Sequence, residues 1–246
     1  MGEHTGIKWC DHTFSAWWGC VKVSPACANC YAERDSNRWG FEVWGTDAPR
    51  KISGDKYWNE PLRWNKKAAE ACVMRRVFSA SMSDVFEDRR DLDPHRERLW
   101  NLIEKTPNLF WLLLSKRPES WNLLPTKWQT KTPDRIWLGI TAESQDWLEK
   151  RAAYLKDAPS KIKFISVEPM LGPIVLGPHA AYIDWVIVGA ESGRNPRPMN
   201  PVWVRNLRDE CIDKGVKFFY KQELIDGKIV STPPLDGKVW TEVPTI

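Results

Sequence analysis

The strongest constraint on the fold is a series of six short, almost unbroken apolar runs: "VFSASMSD" (77–84), "LFWLLLSKRP" (109–118), "RIWLGITAES" (135–144), "KFISVEPM" (163–170), "DWVIVGAESG" (184–193) and "VKFFYKQE" (216–223). A strand with one wet face alternates polar and apolar residues, so runs this continuous predict strands covered on both faces. Amphipathic stretches lie between them. "DPHRERLWNLIEK" has a proline near its first turn, "SQDWLEKRAAYLKD" is capped by Ser144, and "NPVWVRNLRDECIDKG" is capped by Asn200 and ended by Gly215. Strand–helix alternation of this kind implies right-handed crossovers and a parallel sheet. One further strand around "TFSAWWG" brings the count to about seven units. That predicts an α/β fold, a complete or partial (β/α) TIM-like barrel of parallel strands. A doubly wound sheet is the competing architecture, and no glycine-rich dinucleotide fingerprint follows any strand to decide between them.

No low-complexity linker divides residues 1–246, which read as a single barrel domain. Residues 40–70 are turn-rich and read as an irregular insertion or lid. Residues 224–246 read as a hairpin-like tail, because "IDGKIV" and "LDGKVW" place Asp-Gly turns between short strands. No apolar run is long enough to span a bilayer, and the N-terminus lacks a basic region followed by an apolar stretch; the expected location is the cytoplasm, with no membrane partner. A net charge of +4 and a pI near 8.7 permit a nucleic-acid partner without requiring one. The 16 tryptophans read as core packing.

The strands end in polar groups: Ser81, Ser83 and Asp84; Ser115, Lys116 and Arg117; Thr141 and Glu143; Glu168; Glu191 and Ser192; Lys221 and Gln222. In a barrel those ends and the loops after them form the mouth, so the six together predict a charged pocket. "GCVKVSPACANCYAE" (19–33) opens on the same mouth and places Cys20, Cys27 and Cys30 within eleven positions. Clustered thiols in a chain without export features point to metal chemistry. Thiolates select zinc or an iron–sulfur cluster. Zinc in a structural site needs a fourth ligand, which His12 or Cys10 would have to supply. A cluster held by three cysteines keeps one iron open. Cys72 and Cys211, in helix-like surroundings, read as small buried apolar residues.

Three cysteines after the first strand, a partial barrel and polar strand ends resemble the radical S-adenosylmethionine superfamily. The spacing here is C-x6-C-x2-C where most of that superfamily has C-x3-C-x2-C, and Asn29 stands where an aromatic residue usually precedes the last cysteine. More closely, "IKWCDHTFSAWWGCVKVSPACANCYAE", "SMSDVF", "LLLSKRP", "WLGITAES", "ISVEPMLGPI", "DWVIVGAESGRNPRPM" and "GVKFFYKQ" resemble a phage-associated family known mostly as a phage gene product. The resemblance implies that Cys20, Cys27 and Cys30 hold a [4Fe–4S] cluster, that an external electron donor reduces it, and that S-adenosylmethionine is cleaved to a 5′-deoxyadenosyl radical. It implies the methionyl amino group at Ser81, Ser83 and Asp84, its carboxylate at Ser115 and Lys116, and the ribose hydroxyls at Thr141 and Glu143. Glu168 and Glu191 would face the substrate, and Arg194 and Arg197 would meet a phosphate or carboxylate. The implied reaction is rearrangement or modification of a nucleic-acid base, such as an amino-acid-modified thymine in phage DNA, in the cytoplasm of an infected host. Two other classes stay open. One is a zinc-stabilised nucleic-acid-binding or repair-accessory protein; the other is a hydrolase or lyase using Glu168 and Glu191 as an acid–base pair.

Overall fold

The computed structural model describes residues 2–3, 5–193 and 195–245; Arg194 therefore lies outside the described residues. Each of the six apolar runs is a strand: β4 (Arg75–Ser79), β5 (Leu109–Ser115), β6 (Ile136–Thr141), β7 (Lys163–Val167), β8 (Trp185–Gly189) and β9 (Lys217–Ile225). With β1 (His12–Thr13) and β10 (Lys228–Ser231) they form an eight-stranded sheet in the order β1-β4-β5-β6-β7-β8-β9-β10. Every neighbouring pair from β1 to β9 is parallel, and only β10 is antiparallel, folded back on β9. The sheet does not close, because β1 and β10 each have one neighbour. It is the partial barrel expected from the strand count.

The segment "TFSAWWG" is two pieces rather than one strand. His12–Thr13 pairs with Val77–Phe78, whereas β2 (Trp17–Trp18) pairs antiparallel with β3 (Lys51–Ile52) in a separate ribbon. Residues 40–70 are irregular only in their first part. They continue through β3 into α2 (Asp55–Trp58) and α3 (Glu60–Glu70), whose Pro61, Trp64 and Ala68 bury one face. That spacing is helical; the Gly-, Asp- and Pro-rich stretch before it hides the signal. Cys72 is exposed at a left-handed φ of 52° in the turn after α3, not buried in a helix. Cys211 is buried as expected. Both Asp-Gly turns form: Asp226 and Gly227 have φ of 49° and 74°, and Asp236 and Gly237 have φ of 52° and 79°. Such positive pairs suit the tight hairpin turn.

The helices α1 (Tyr31–Arg38), α4 (Asp93–Glu104), α5 (Gln145–Lys156) and α6 (Pro201–Lys214) complete the alternation. In α6 the Asn200 side chain accepts from the Val202 N–H and Gly215 closes the last turn at φ 70°. Successive strand residues point to opposite faces. Val77, Trp111, Leu113, Leu138, Val186 and Phe218 belong to one core layer together with helix residues such as Leu99, Leu148 and Leu207. Phe78, Leu112, Trp137, Phe164, Trp185 and Phe219 form a second cluster on the other face, joined by Trp9 from the N-terminal segment and Val243 from the tail. This aromatic layer fills the concave side. Among the described residues no helix is long and apolar enough to cross a membrane.

Candidate functional site

Above the aromatic layer, period two carries the inward positions of the same strands to the carboxyl ends. Phe78 is followed by Ala80, Phe164 by Ser166 and Glu168, and Gly139 by Thr141. Phe78, Ala80, Thr141, Ser166 and Glu168, with Leu114, Lys116 and Lys221, line a cleft of about 160 Å³. Clefts at strand carboxyl ends are where barrels place their chemistry. Cys20, Cys27 and Cys30 line the same cleft. The segment that carries them leaves β2, passes a short 3-10 turn at Pro25–Cys27, and enters α1 with Cys30 as the residue before its first turn.

Four strand ends fasten that cysteine segment. The Tyr31 hydroxyl donates to the Ser81 carbonyl at 3.0 Å, beyond β4. Arg117, beyond β5, donates from Nη2 to the Val21 carbonyl at 2.7 Å and from Nη1 to Cys20 Sγ at 3.4 Å. Glu143, beyond β6, accepts from the Ala26 N–H at 3.1 Å and from Arg151 Nη1 at 2.9 Å. Glu191, beyond β8, accepts from Asn29 Nδ2 at 2.9 Å and is ion-paired with Arg197. Burial works to raise the Glu191 carboxyl, but the hydrogen bonds from the Arg197 side chain and backbone and from Asn29 hold it below the ordinary glutamate value.

The residues singled out from the sequence divide accordingly. Ser81, Ser83, Asp84, Ser115, Lys116, Thr141, Glu168 and Glu191 are all brought to the cleft wall. Within that wall the Asp84 carboxylate is taken by Ser115 Oγ at 2.8 Å, the Lys116 N–H at 3.0 Å and Arg117 Nη1 at 3.1 Å. Glu143 lies fully buried beneath the cysteine segment rather than on the wall. Glu168 is ion-paired with Lys221, and both line the cleft. Ser166 and Trp44 also line it and were not singled out. Ser166 had a signal, a hydroxyl at an inward position of the apolar run "KFISV". Trp44 sits in a segment whose path nothing local in the sequence reveals.

The three thiols share a wall without being gathered around a point: among the described residues no three His, Cys, Asp or Glu side chains are arranged to hold a metal ion. Burial pushes the Cys20 thiol up to about 12, against the opposing pull of Arg117, and raises Cys30 as well. The donor set nevertheless fits a sulfur-held cluster and a polar ligand beside it. Three sulfurs face one cleft, and Ser83 Oγ and Thr141 Oγ1, on the same cleft wall, are buried without a hydrogen-bond partner among the described residues. Neither residue expected as the fourth zinc ligand lines the cleft. Cys10 is buried in the aromatic layer with its thiol on the Ile7 carbonyl, and His12 Nδ1 meets the Glu3 carbonyl at 2.8 Å while its ring stacks on Trp64.

Comparison with solved structures finds three forms of spore photoproduct lyase. A tyrosine-to-phenylalanine mutant is 12% identical with a TM-score of 0.51, over 83% of this chain and 73% of that one. A double mutant with bound AdoMet and dinucleoside spore photoproduct is 13% identical with a TM-score of 0.48, over 89% and 67%. A cysteine-to-alanine mutant is 12% identical with a TM-score of 0.48, over 82% and 61%. At these identities the likeness is one of fold. No curated protein matches the chain. Residues 4–244 match the family described as "protein of unknown function (DUF5131)", so the chain belongs to that family.

Proposed function

We propose that this protein is a radical S-adenosylmethionine enzyme acting on a nucleic-acid base. The observation that carries the reading is the meeting, in one cleft at the carboxyl ends of an open parallel barrel, of three cysteine thiols with a wall of hydroxyl, lysine and carboxylate groups. Cys20, Cys27 and Cys30 would hold a [4Fe–4S] cluster, which supplies, when bound and reduced by an external donor, the electron for reductive cleavage of S-adenosylmethionine.

The chain's own groups would then position the reactants. Lys116 has no carboxylate partner among the described residues, whereas Arg117 and Lys221 are ion-paired with Asp84 and Glu168. It would take the methionyl carboxylate. Ser81 and Ser83 would meet the amino group, with Asp84 stiffening that corner through its bonds to Ser115 and Arg117. The unpartnered Thr141 hydroxyl would take a ribose hydroxyl. Glu168 and Lys221 would face the substrate, Glu168 accepting and Lys221 donating, while Glu191 would clamp the cysteine segment. The base-modifying or isomerising reaction, and its setting in the cytoplasm of a phage-infected cell, rest on the sequence resemblance and on a mildly basic charge.

Anaerobic reconstitution with iron and sulfide tests the reading. It is expected to give a brown protein absorbing near ~400 nm, the region of iron–sulfur clusters, that cleaves S-adenosylmethionine on reduction. A colourless protein holding stoichiometric zinc overturns it. Cys27→Ala is expected to keep the secondary structure and lose the iron, since the sulfur lines the cleft instead of filling a core; loss of folding with loss of metal would mark a structural zinc site instead.

A further inference from the structure

Among the described residues, Cys20 is the thiol of the three that accepts a hydrogen bond from a buried guanidinium, that of Arg117 at 3.4 Å. Arg117 is 9% exposed at its side chain and Asp84 is 7% exposed, and they pair at 3.1 Å. The guanidinium has little freedom to swing. Its Nη1 is shared between Asp84 Oδ2 and Cys20 Sγ, its Nη2 is held by the Val21 carbonyl, and its own backbone N–H is fixed on Ser115 Oγ at 2.8 Å. Asp84 is fixed in turn by Ser115 Oγ and the Lys116 N–H. The other sulfurs stand differently: Cys27 Sγ has the Ser24 hydroxyl at 3.9 Å, Cys30 Sγ takes neutral backbone N–H groups of Ala32 and Glu33, and no guanidinium or ammonium donates to either among the described residues. The arrangement at Cys20 is stiff and desolvated.

We propose that Arg117 is a positioning residue whose N–H, aimed at Cys20 Sγ, raises the reduction potential of the cluster that Cys20, Cys27 and Cys30 would hold. This rests on the function proposed above and adds to it how that site is tuned. The physical reason is charge balance. Reduction adds one electron to the cluster, and part of that charge resides on its thiolates. A fixed N–H donor and a nearby cation favour the more negative state, and hydrogen bonds to sulfur are a principal control of cluster potential. In a buried setting the interaction is weakly screened. Asp84 opposes it on the same Nη1, so the two residues act on the potential with opposite signs.

That opposition supplies the test. The full-length protein, its R117Q and D84N variants and R117K are reconstituted anaerobically and titrated with dithionite and mediators in the absence of S-adenosylmethionine, with the reduced cluster read by electron paramagnetic resonance. R117Q is expected to lower the one-electron reduction constant about tenfold, a downward shift of about 59 mV. D84N, which removes the counter-charge and leaves the donor, is expected to shift the potential upward. R117K keeps a cation but loses the fork that reaches sulfur, and is expected to shift down by less than R117Q; it carries the test if R117Q does not fold. Damage to the fold alone would move both R117Q and D84N in one direction. Shifts of the same sign, or an R117Q or R117K potential equal to that of the unaltered protein, overturn this inference and leave the proposed function standing. An unaltered protein that builds no cluster overturns both.

Discussion

Gly139 lies in the middle of β6 because the ring of Phe164, on the neighbouring strand, occupies the space its Cβ would need. An added Cβ would sit 2.4 Å from that ring. Gly139→Ala is therefore expected to push Phe164 off its rotamer and destabilise the protein by about 1–3 kcal/mol, the usual cost of overpacking, measured by chemical denaturation. Arg50 and Glu87 carry a larger commitment. They form an ion pair with side chains 1% and 5% exposed, and Arg50 also donates to the Val43, Gly45 and Ala48 carbonyls. One guanidinium thus organises the irregular stretch that contributes Trp44 to the cleft. Removing only the acid leaves a buried, uncompensated cation, so Glu87→Ala is expected to cost about 3–5 kcal/mol in the same measurement. Neither role is visible in the sequence, where Gly139 is one glycine in a strand and Glu87 one acid in a polar loop.

At the scale of elements, the cysteine segment owes its place to groups from four strand ends more than to contacts of its own. Glu191 makes this testable by pH. Its folded carboxyl titrates below the ordinary value of 4.5, because the bonds from Arg197 and Asn29 outweigh burial. A carboxyl depressed in the folded state contributes stability that is complete above the unfolded value and is lost as pH falls through the folded one. The clamp on Asn29 is therefore expected to release only below about pH 4.5, read as lower hydrogen-exchange protection of residues 20–30, each rate taken relative to the intrinsic rate at the same pH. Glu191→Gln cannot titrate, and is expected to show low protection in that segment already at neutral pH with a flatter acid response. Protection in the segment that ignores both pH and this substitution would remove Glu191 from the role. The sequence showed Glu191 as one of six polar strand ends; that it reaches Asn29, 162 positions away in the chain, depends on how β8 lies over the cysteine segment.

The whole molecule is an open sheet whose concave side is filled by aromatic rings. Trp185 is the hub, with centroids 6.1 Å from Trp9, 6.0 Å from Trp137, 5.9 Å from Phe164 and 6.2 Å from Phe219. Trp9 reaches this layer from the N-terminal segment, so the layer joins six strands, β4 to β9, to a part of the chain outside them. The layer is also the floor of the cleft, which Trp9 and Phe78 line directly. Trp185→Ala is expected to destabilise by about 3–5 kcal/mol, the range for emptying a buried large aromatic site, checked by thermal or chemical unfolding. The open edges fit this construction. The β10 strand is exposed along its whole length and carries Lys228, a charge that discourages edge-to-edge pairing.

What the sequence determined by itself is the kind of order present: strands covered on both faces, helices between them, parallel pairing, hairpins at Asp226-Gly227 and Asp236-Gly237, and thiols on the loop that opens toward the strand ends. Those features follow from local periodicity and turn chemistry, which act over a few residues. Tertiary structure decided which polar strand ends face the cleft freely and which are spent inside the protein. Thr141 reaches the wall with its hydroxyl unpartnered among the described residues, Glu168 reaches it paired with Lys221, Asp84 reaches it with its carboxylate held by Ser115, Lys116 and Arg117, and Glu143 lies under Ala26. Tertiary structure also gave Cys10 and His12 partners of their own, the carbonyls of Ile7 and Glu3. A buried charge must find its partner wherever the fold brings one, and those partners come from distant strands. Local sequence therefore names the groups able to do chemistry, while the fold assigns which of them are left to do it.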